Sequence, residues 1–271
     1  MKTRSIILHY HIFKNAGSTI QWILEKNFHK SFSTLHETDI EGVVSNDEII
    51  LFTQEHPEIV ALASHHFRLP SPSAPSLKFI ELCLFRHPLD RIQSMYYYFR
   101  KLDNLADPYV EQAHKAGLAG FVEWSLEAQP YNVVNSQTCF CSTGGAYYFP
   151  PSSSHLKRAK STLKNIKILG VVDRFDESLV VAEFFLRFIY RDLDLSYVRQ
   201  NSANPSRLDL PERLNDMKIQ CGDALFGEIT RLNKFDEELW QCANQELDRR
   251  ISHIPRFEQK LQSFRKRCEI W

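Results

Sequence analysis

The residues of this chain best equipped for chemistry stand in one segment, His11-Ile12-Phe13-Lys14-Asn15-Ala16-Gly17-Ser18-Thr19. It holds a lysine, then small residues and two hydroxyls, between an apolar run and an amphipathic one. The run before it, Ser5-Ile6-Ile7-Leu8-His9-Tyr10, has the length and composition of a buried parallel strand. After it, Ile20, Ile23, Leu24 and Phe28 recur at helical spacing, with Ser18 and Thr19 as candidate N-terminal caps. A strand, a small-residue loop and a helix N-terminus together form an anion site. The first N–H groups of a helix lack intrahelical acceptors, and its dipole is positive at that end. The spacing differs from a Walker loop, Gly-x-x-x-x-Gly-Lys-Ser/Thr, because Lys14 precedes the small residues and Gly17 is the only glycine there. Such a short loop suits a terminal phosphate. The plain alternative is an ordinary βα turn with a solvated lysine.

A second segment repeats the pattern. Leu77-Lys78-Phe79-Ile80-Glu81-Leu82-Cys83-Leu84-Phe85 reads as a buried strand and ends at Arg86-His87-Pro88. A helix follows, with Leu89, Ile92, Met95, Tyr96, Phe99 and Leu102 on its apolar side and Pro88 in its first turn. Arg86 is thereby placed at the C-terminal edge of a sheet, where open α/β sheets bind ligands. Ser94 lies in the same helix, and a guanidinium with a hydroxyl makes a receptor for a second phosphate. The alternative is that Arg86 pairs with Asp90 while Ser94 faces solvent. His87 is a weaker candidate for a phosphate or substrate contact. His9 and His11 alternate with apolar residues and are expected to be satisfied core histidines.

Together the two segments resemble the nucleotide motifs of sulfotransferases that use PAPS (3′-phosphoadenylyl sulfate). The closest likeness is to the carbohydrate branch, with the heparan sulfate 2-O- and uronyl 2-O-sulfotransferases and bacterial relatives. Further segments are similar in order: Asn135-Ser136-Gln137-Thr138, Ile168 to Leu179, Asn201-Ser202 followed by Arg207, and Asn233-Lys234-Phe235-Asp236-Glu237-Glu238-Leu239-Trp240. The likeness runs from about residue 5 to 252. The resemblance implies an α/β fold: a three-layer sandwich with a central, mostly parallel sheet and a P-loop-like nucleotide site. It implies that Lys14, Asn15, Ala16, Gly17, Ser18 and Thr19 hold the 5′-phosphosulfate of PAPS, while Arg86 and Ser94 hold the 3′-phosphate. The product would be PAP (adenosine 3′,5′-bisphosphate). Phe13, Asn15 and His87 depart from the usual proline, threonine and acidic residue of these motifs.

Sulfuryl transfer, like phosphoryl transfer, passes through a loose in-line transition state with charge gathering on the leaving oxygen. It needs a cation there, donors for the sulfuryl oxygens and a base for the acceptor hydroxyl. Lys14 and the N–H groups of Gly17, Ser18 and Thr19 fill the first two roles. For the base, Ile59-Val60-Ala61-Leu62-Ala63 is apolar and ends in Ser64-His65-His66-Phe67. Adjacent histidines at a strand end alternate faces, so one can reach the cleft. In the uronyl branch a Gly-His-x-x-Phe-type segment stands here, which makes His65 the first choice and His66 the second. No metal is expected: the chain has no His-Glu-x-x-His and no pair of Cys-x-x-Cys.

The 271 residues are enough for a single domain, 1–271, with a full α/β core. The 33 basic residues balance the 33 acidic ones, so no global field argues for nucleic acid or an anionic membrane. Local basicity differs. Arg86, Arg91, Arg100 and Lys101 surround the proposed phosphate site, and Lys157, Arg158, Lys160, Lys164 and Lys167 form a run that is either a solvated helix face or a groove for an acidic polysaccharide. Residues 103–150 read as a helical and loop insertion on the acceptor side, where Trp124, Tyr131, Tyr147 and Tyr148 could stack on sugar rings, although Trp124 reads better as core. Helices are expected over Asp176–Leu195, with a packing stripe of Leu179, Ala182, Phe185, Leu186 and Ile189, and over Gly227–Ile254. The six cysteines are scattered and expected to be reduced thiols. With no apolar run long enough to span a bilayer and no convincing signal peptide, the chain reads as a cytoplasmic, bacterial enzyme with no integral membrane segment. The leading expectation is sulfation of a saccharide hydroxyl. The other classes are a nucleotide-dependent kinase and a catalytically silent nucleotide-binding module.

Overall fold

Short apolar runs, each followed by an amphipathic segment, give a sheet of parallel strands with helices packed on it. The computed structural model describes residues 3–36, 42–142, 149–198 and 209–270. Tyr147, Tyr148, Asn201, Ser202 and Arg207 lie outside the described residues. The elements run β1 (Arg4–Tyr10), α1 (Gly17–Phe28), β2 (Phe32–Thr34), α2 (Asn46–Glu55), β3 (Ala61–Ser64), β4 (Leu77–Phe85) and α3 (Pro88–Phe99). Then come α4 (Pro108–Lys115), α5 (Gly117–Ala128), α6 (Pro130–Val133), α7 (Ser136–Phe140), α8 (Ser153–Asn165), β5 (Ile168–Val171) and α9 (Phe175–Leu186). The chain continues through α10 (Leu210–Leu232), α11 (Lys234–Ile251) and α12 (Phe257–Cys268).

All strand pairs are parallel, in the order β2-β3-β1-β4-β5. In register, Tyr10 at the end of β1 stands beside Ser64 of β3 and Cys83 of β4. Strand β1 leads through α1 to β2 on one side, whereas β4 leads to β5 on the other. The connections leaving β1 and β4 therefore diverge, and the crevice between them is a topological switch point at the C-terminal edge. Ile7, Leu82 and Leu84 face α1 and α9 across a small apolar cavity shared with Ile20, Ile23 and Leu179. The alternate side chains face the opposite layer, where the Tyr10 ring meets Phe140 of α7 edge-on. A second apolar cluster joins α3, α4, α5 and α10 through Met95, Phe99, Val110, Phe121 and Met217. Trp124 packs on its rim, against Tyr109 and Phe121.

Strands β1, β3, β4 and β5 fall where apolar runs place them, but β2 has no such run and several helix ends differ. Ala16, in a left-handed conformation (φ 61°), is the N-cap of α1. Ser18 is exposed in the first turn and Thr19 buried in it, so neither is a cap. Helix α9 stops at Leu186 instead of continuing to Leu195, because the segment after it is claimed by other partners. Asp194 exchanges two hydrogen bonds with the Asn27 side chain, and Leu195 N–H donates to Glu183 Oε2 at 2.9 Å. Phe185 and Ile189 are consequently 40% and 43% exposed, outside the packing stripe that spacing assigns them. The helix expected over Gly227–Ile254 is two helices, divided at Asn233, whose side chain is drawn away to Val133 and Asn135.

Candidate functional site

The loop after β1 holds two non-glycine residues in the left-handed region, Lys14 (φ 65°) and Ala16 (φ 61°). Each costs on the order of 1–3 kcal/mol, so neighbouring contacts must hold the loop in place. Asn15, buried, supplies two: its Nδ2 donates to Leu84 O and to Gln137 Oε1, both at 2.8 Å. A third is steric. A Cβ on Gly17 would lie 1.6 Å from His11 Nε2, so the loop approaches the His11 ring as only glycine can. The N–H groups of Gly17 and Ser18 open α1 and have no acceptor within it. Lys14 Nζ stands 4.1 Å from the centroid of the Tyr98 ring and 5.7 Å from that of Phe13. Burial, then the charges of Arg86 and Lys101, bring its pKa down to about 8.

Arg86 is the first residue beyond β4, next to that loop, and Pro88 follows as the first residue of α3, as the sequence suggests. Its Nη1 donates to Lys14 O at 2.9 Å, which joins the two segments directly. Its Nε donates to Asp90 Oδ2 at 2.6 Å, so the ion pair held open as the plain alternative is present. Nη2 has no partner among the described residues. Ser94 is 8% exposed rather than solvent-facing. Burial pushes the Asp90 carboxyl up, but Arg86 and then Arg213 outweigh it and hold the group below the usual carboxylate range. Arg213, on the first turn of α10, donates to Asp90 Oδ1 at 2.7 Å and to Asp173 Oδ1 at 2.8 Å. Nothing in the sequence pattern marks Arg213.

Between the two segments lies Gln137, fully buried, whose Oε1 accepts from Arg86 N–H at 3.0 Å and whose Nε2 donates to Arg86 O at 2.8 Å. It is held by a reciprocal pair of helix caps. Asn135 precedes α7, yet its Oδ1 accepts from the N–H groups of Phe235 and Asp236 in the first turn of α11. Asp236 in return accepts from the N–H groups of Gln137 and Thr138 in the first turn of α7, at 3.0 and 2.7 Å. Asn233 Oδ1 closes the knot on Asn135 N–H at 2.9 Å. The two Asn-containing segments noted in the sequence thus cap each other's helices.

The histidines separate clearly. His65 donates from Nδ1 to His11 O at 2.9 Å, which leaves Nε2 as the basic nitrogen, without a partner among the described residues. Its ring lies 3.6 Å from that of His11 and 6.3 Å from Phe13, the ring beside Lys14. Burial takes its pKa down to about 4. His66 turns away, its Nδ1 on Gly42 O at 2.9 Å. His87 bonds Glu237 Oε2 at 2.9 Å against the Trp240 ring, on the α11 side rather than at an open anion site. His9 and His11 are buried as expected, but His9 Nδ1 has no partner among the described residues, and burial holds both rings neutral. Among the described residues no group of three or more His, Cys, Asp or Glu side chains is arranged to hold a metal ion. No helix among them is long and apolar enough to cross a membrane.

No protein-family model matches the chain. It is similar to an uncharacterized protein of the archaeon Archaeoglobus fulgidus, 29% identical over 244 residues. The match spans 88% of this chain and 95% of that protein.

Proposed function

We propose that this chain is a PAPS-dependent sulfotransferase with a P-loop-like site, moving a sulfuryl group to an acceptor hydroxyl, with a saccharide as the acceptor class. The observation that carries the reading is the direct junction of the two segments at the switch point, where Arg86 Nη1 donates to Lys14 O at 2.9 Å. A lone phosphate loop would serve many nucleotides. Two adjoining cationic loops suit a nucleotide with phosphates at both its 5′ and 3′ positions.

The residues fit such a donor. Lys14 and the free N–H groups of Gly17 and Ser18 face the 5′ side, where they offset charge on the leaving bridging oxygen and the sulfuryl oxygens. Asn15 and Ala16 shape the loop, and Thr19 anchors its first turn. Arg86, with Nη2 unengaged, and Ser94 receive the 3′-phosphate. His65 Nε2 takes the acceptor proton, its tautomer fixed by His11 O. His66, directed to Gly42, is the weaker base candidate. The half-buried rings of Phe13 and Tyr98 beside Lys14 offer flat faces for a sugar.

Calorimetry with PAP and ATP tests the reading. PAP is expected to bind without added metal and more tightly than ATP. Binding of ATP that requires Mg²⁺, with no binding of PAP, would replace it with a kinase. Binding of PAP without turnover of PAPS on any hydroxyl acceptor would leave a silent nucleotide-binding module.

A further inference from the structure

We infer that Gln137 is a positioning residue: it holds Arg86 and the Lys14 loop at the separation that a two-phosphate ligand requires. The inference rests on the reading above and concerns how its two halves are kept in register. Strand β4 ends at Phe85, so Arg86 is where ladder pairing with the neighbouring strands ceases. The Gln137 carboxamide continues the ladder with a side chain. It satisfies both the N–H and the C=O of Arg86, at 3.0 and 2.8 Å, as a paired strand would. A primary amide carries the required acceptor and donor on one planar group. The second lone pair of Oε1 takes Asn15 Nδ2 at 2.8 Å, so the same oxygen touches both segments. Asp236 fixes the Gln137 backbone from α11, packed against α7.

The geometry has a specific consequence. Without Gln137 the part-buried Arg86 peptide groups lose their partner, and the guanidinium loses the fixed origin from which it spans to Lys14 O and the ligand. Gln137 itself touches no ligand. Its effect on the 3′-phosphate passes through Arg86, and that part is non-additive with removal of Arg86.

A double-mutant cycle on PAP affinity reads this directly. Arg86→Ala is expected to weaken PAP by about 10- to 100-fold, the loss of a charge-assisted contact. Gln137→Met is expected to weaken it about tenfold, with AMP, which lacks the 3′-phosphate, affected less. The double variant is expected to lose clearly less PAP affinity than the product of the two single losses. A general loss of structure would instead multiply the two effects and weaken AMP and PAP alike, and either result overturns the inference. Near-UV circular dichroism checks each variant for a folded core. Gln137→Glu, which keeps the shape but sets an oxygen against Arg86 O, stands in if Gln137→Met does not fold. Failure of the unmodified protein to bind PAP would remove the donor assignment itself. PAP binding that is insensitive to Gln137 would remove only the positioning role.

Discussion

At the scale of residues, the site is a set of charges and rings whose protonation states are set by burial. In the proposed transfer Lys14 is protonated to offset charge on a leaving phosphate, and its pKa of about 8 keeps it so at neutral pH but not well above. As the proposed base His65 is neutral, and with a pKa of about 4 it is so throughout the neutral range. Turnover per unit of free enzyme, kcat/KM, is therefore expected to be flat between these limits. It falls above about pH 8 as Lys14 loses its proton and below about pH 4 as His65 gains one. Lys14→Arg should carry the alkaline limb upward, and His65→Ala should lower kcat by about 10²- to 10⁴-fold while His66→Ala does not. Gly17 invites a different trial. Gly17→Ala drives a methyl into the His11 ring and should abolish PAP binding, whereas Gly17→Ala combined with His11→Ala, which removes the ring, should restore a folded loop measurable by thermal unfolding.

At the scale of elements, what was legible follows from what each signal depends on. The strands β1 and β4 declare themselves because a buried parallel strand is apolar on both faces, and Lys14 stands four residues beyond β1 while Arg86 directly follows β4. Pro88 marks the start of α3 by its own chemistry. Helix ends held by distant partners leave no local mark. Nothing near Leu186 announces that Asn27, far earlier in the chain, will claim Asp194 and stop α9. Ser18 and Thr19 look like caps, yet the left-handed turn at Ala16 takes the entry to α1. Gln137 and Asp236 could be quoted as motif letters, but their bonds exist only once α7 and α11 meet. The cap exchange between those helices predicts that Asn135→Ala costs about 1–2 kcal/mol or more in chemical denaturation, since one side chain serves the first turn of α11 through two N–H groups.

At the scale of the whole molecule, the sheet and the second apolar cluster divide the labour. The sheet edge presents Lys14, Arg86 and His65. The cluster of α3, α4, α5 and α10 steadies the far side of α3, the helix that carries Asp90, Ser94 and Tyr98. Phe121→Ala, at the centre of that cluster and fully buried, is expected to cost about 3–5 kcal/mol in unfolding free energy. Helix α8 is electrically distinct. Lys157, Lys160 and Lys164 stand along it with Ser153 and Ser161, although the chain as a whole is neutral and Lys160 is paired to Glu238.

The exchange of caps between α7 and α11 also sets a calendar for the molecule. Asn15 meets Gln137 across 122 positions, and Gln137 meets Asp236 across another 99. Contacts so far apart along the chain form late, because a long loop must close before they return anything. A polypeptide still being synthesised carries its lysine loop before Gln137 and Asp236, the clasp for that loop, have been made. Until Asp236 has emerged, α7 lacks the carboxylate that accepts from Gln137 and Thr138, and the lysine loop waits for one of the contacts that hold its left-handed turns.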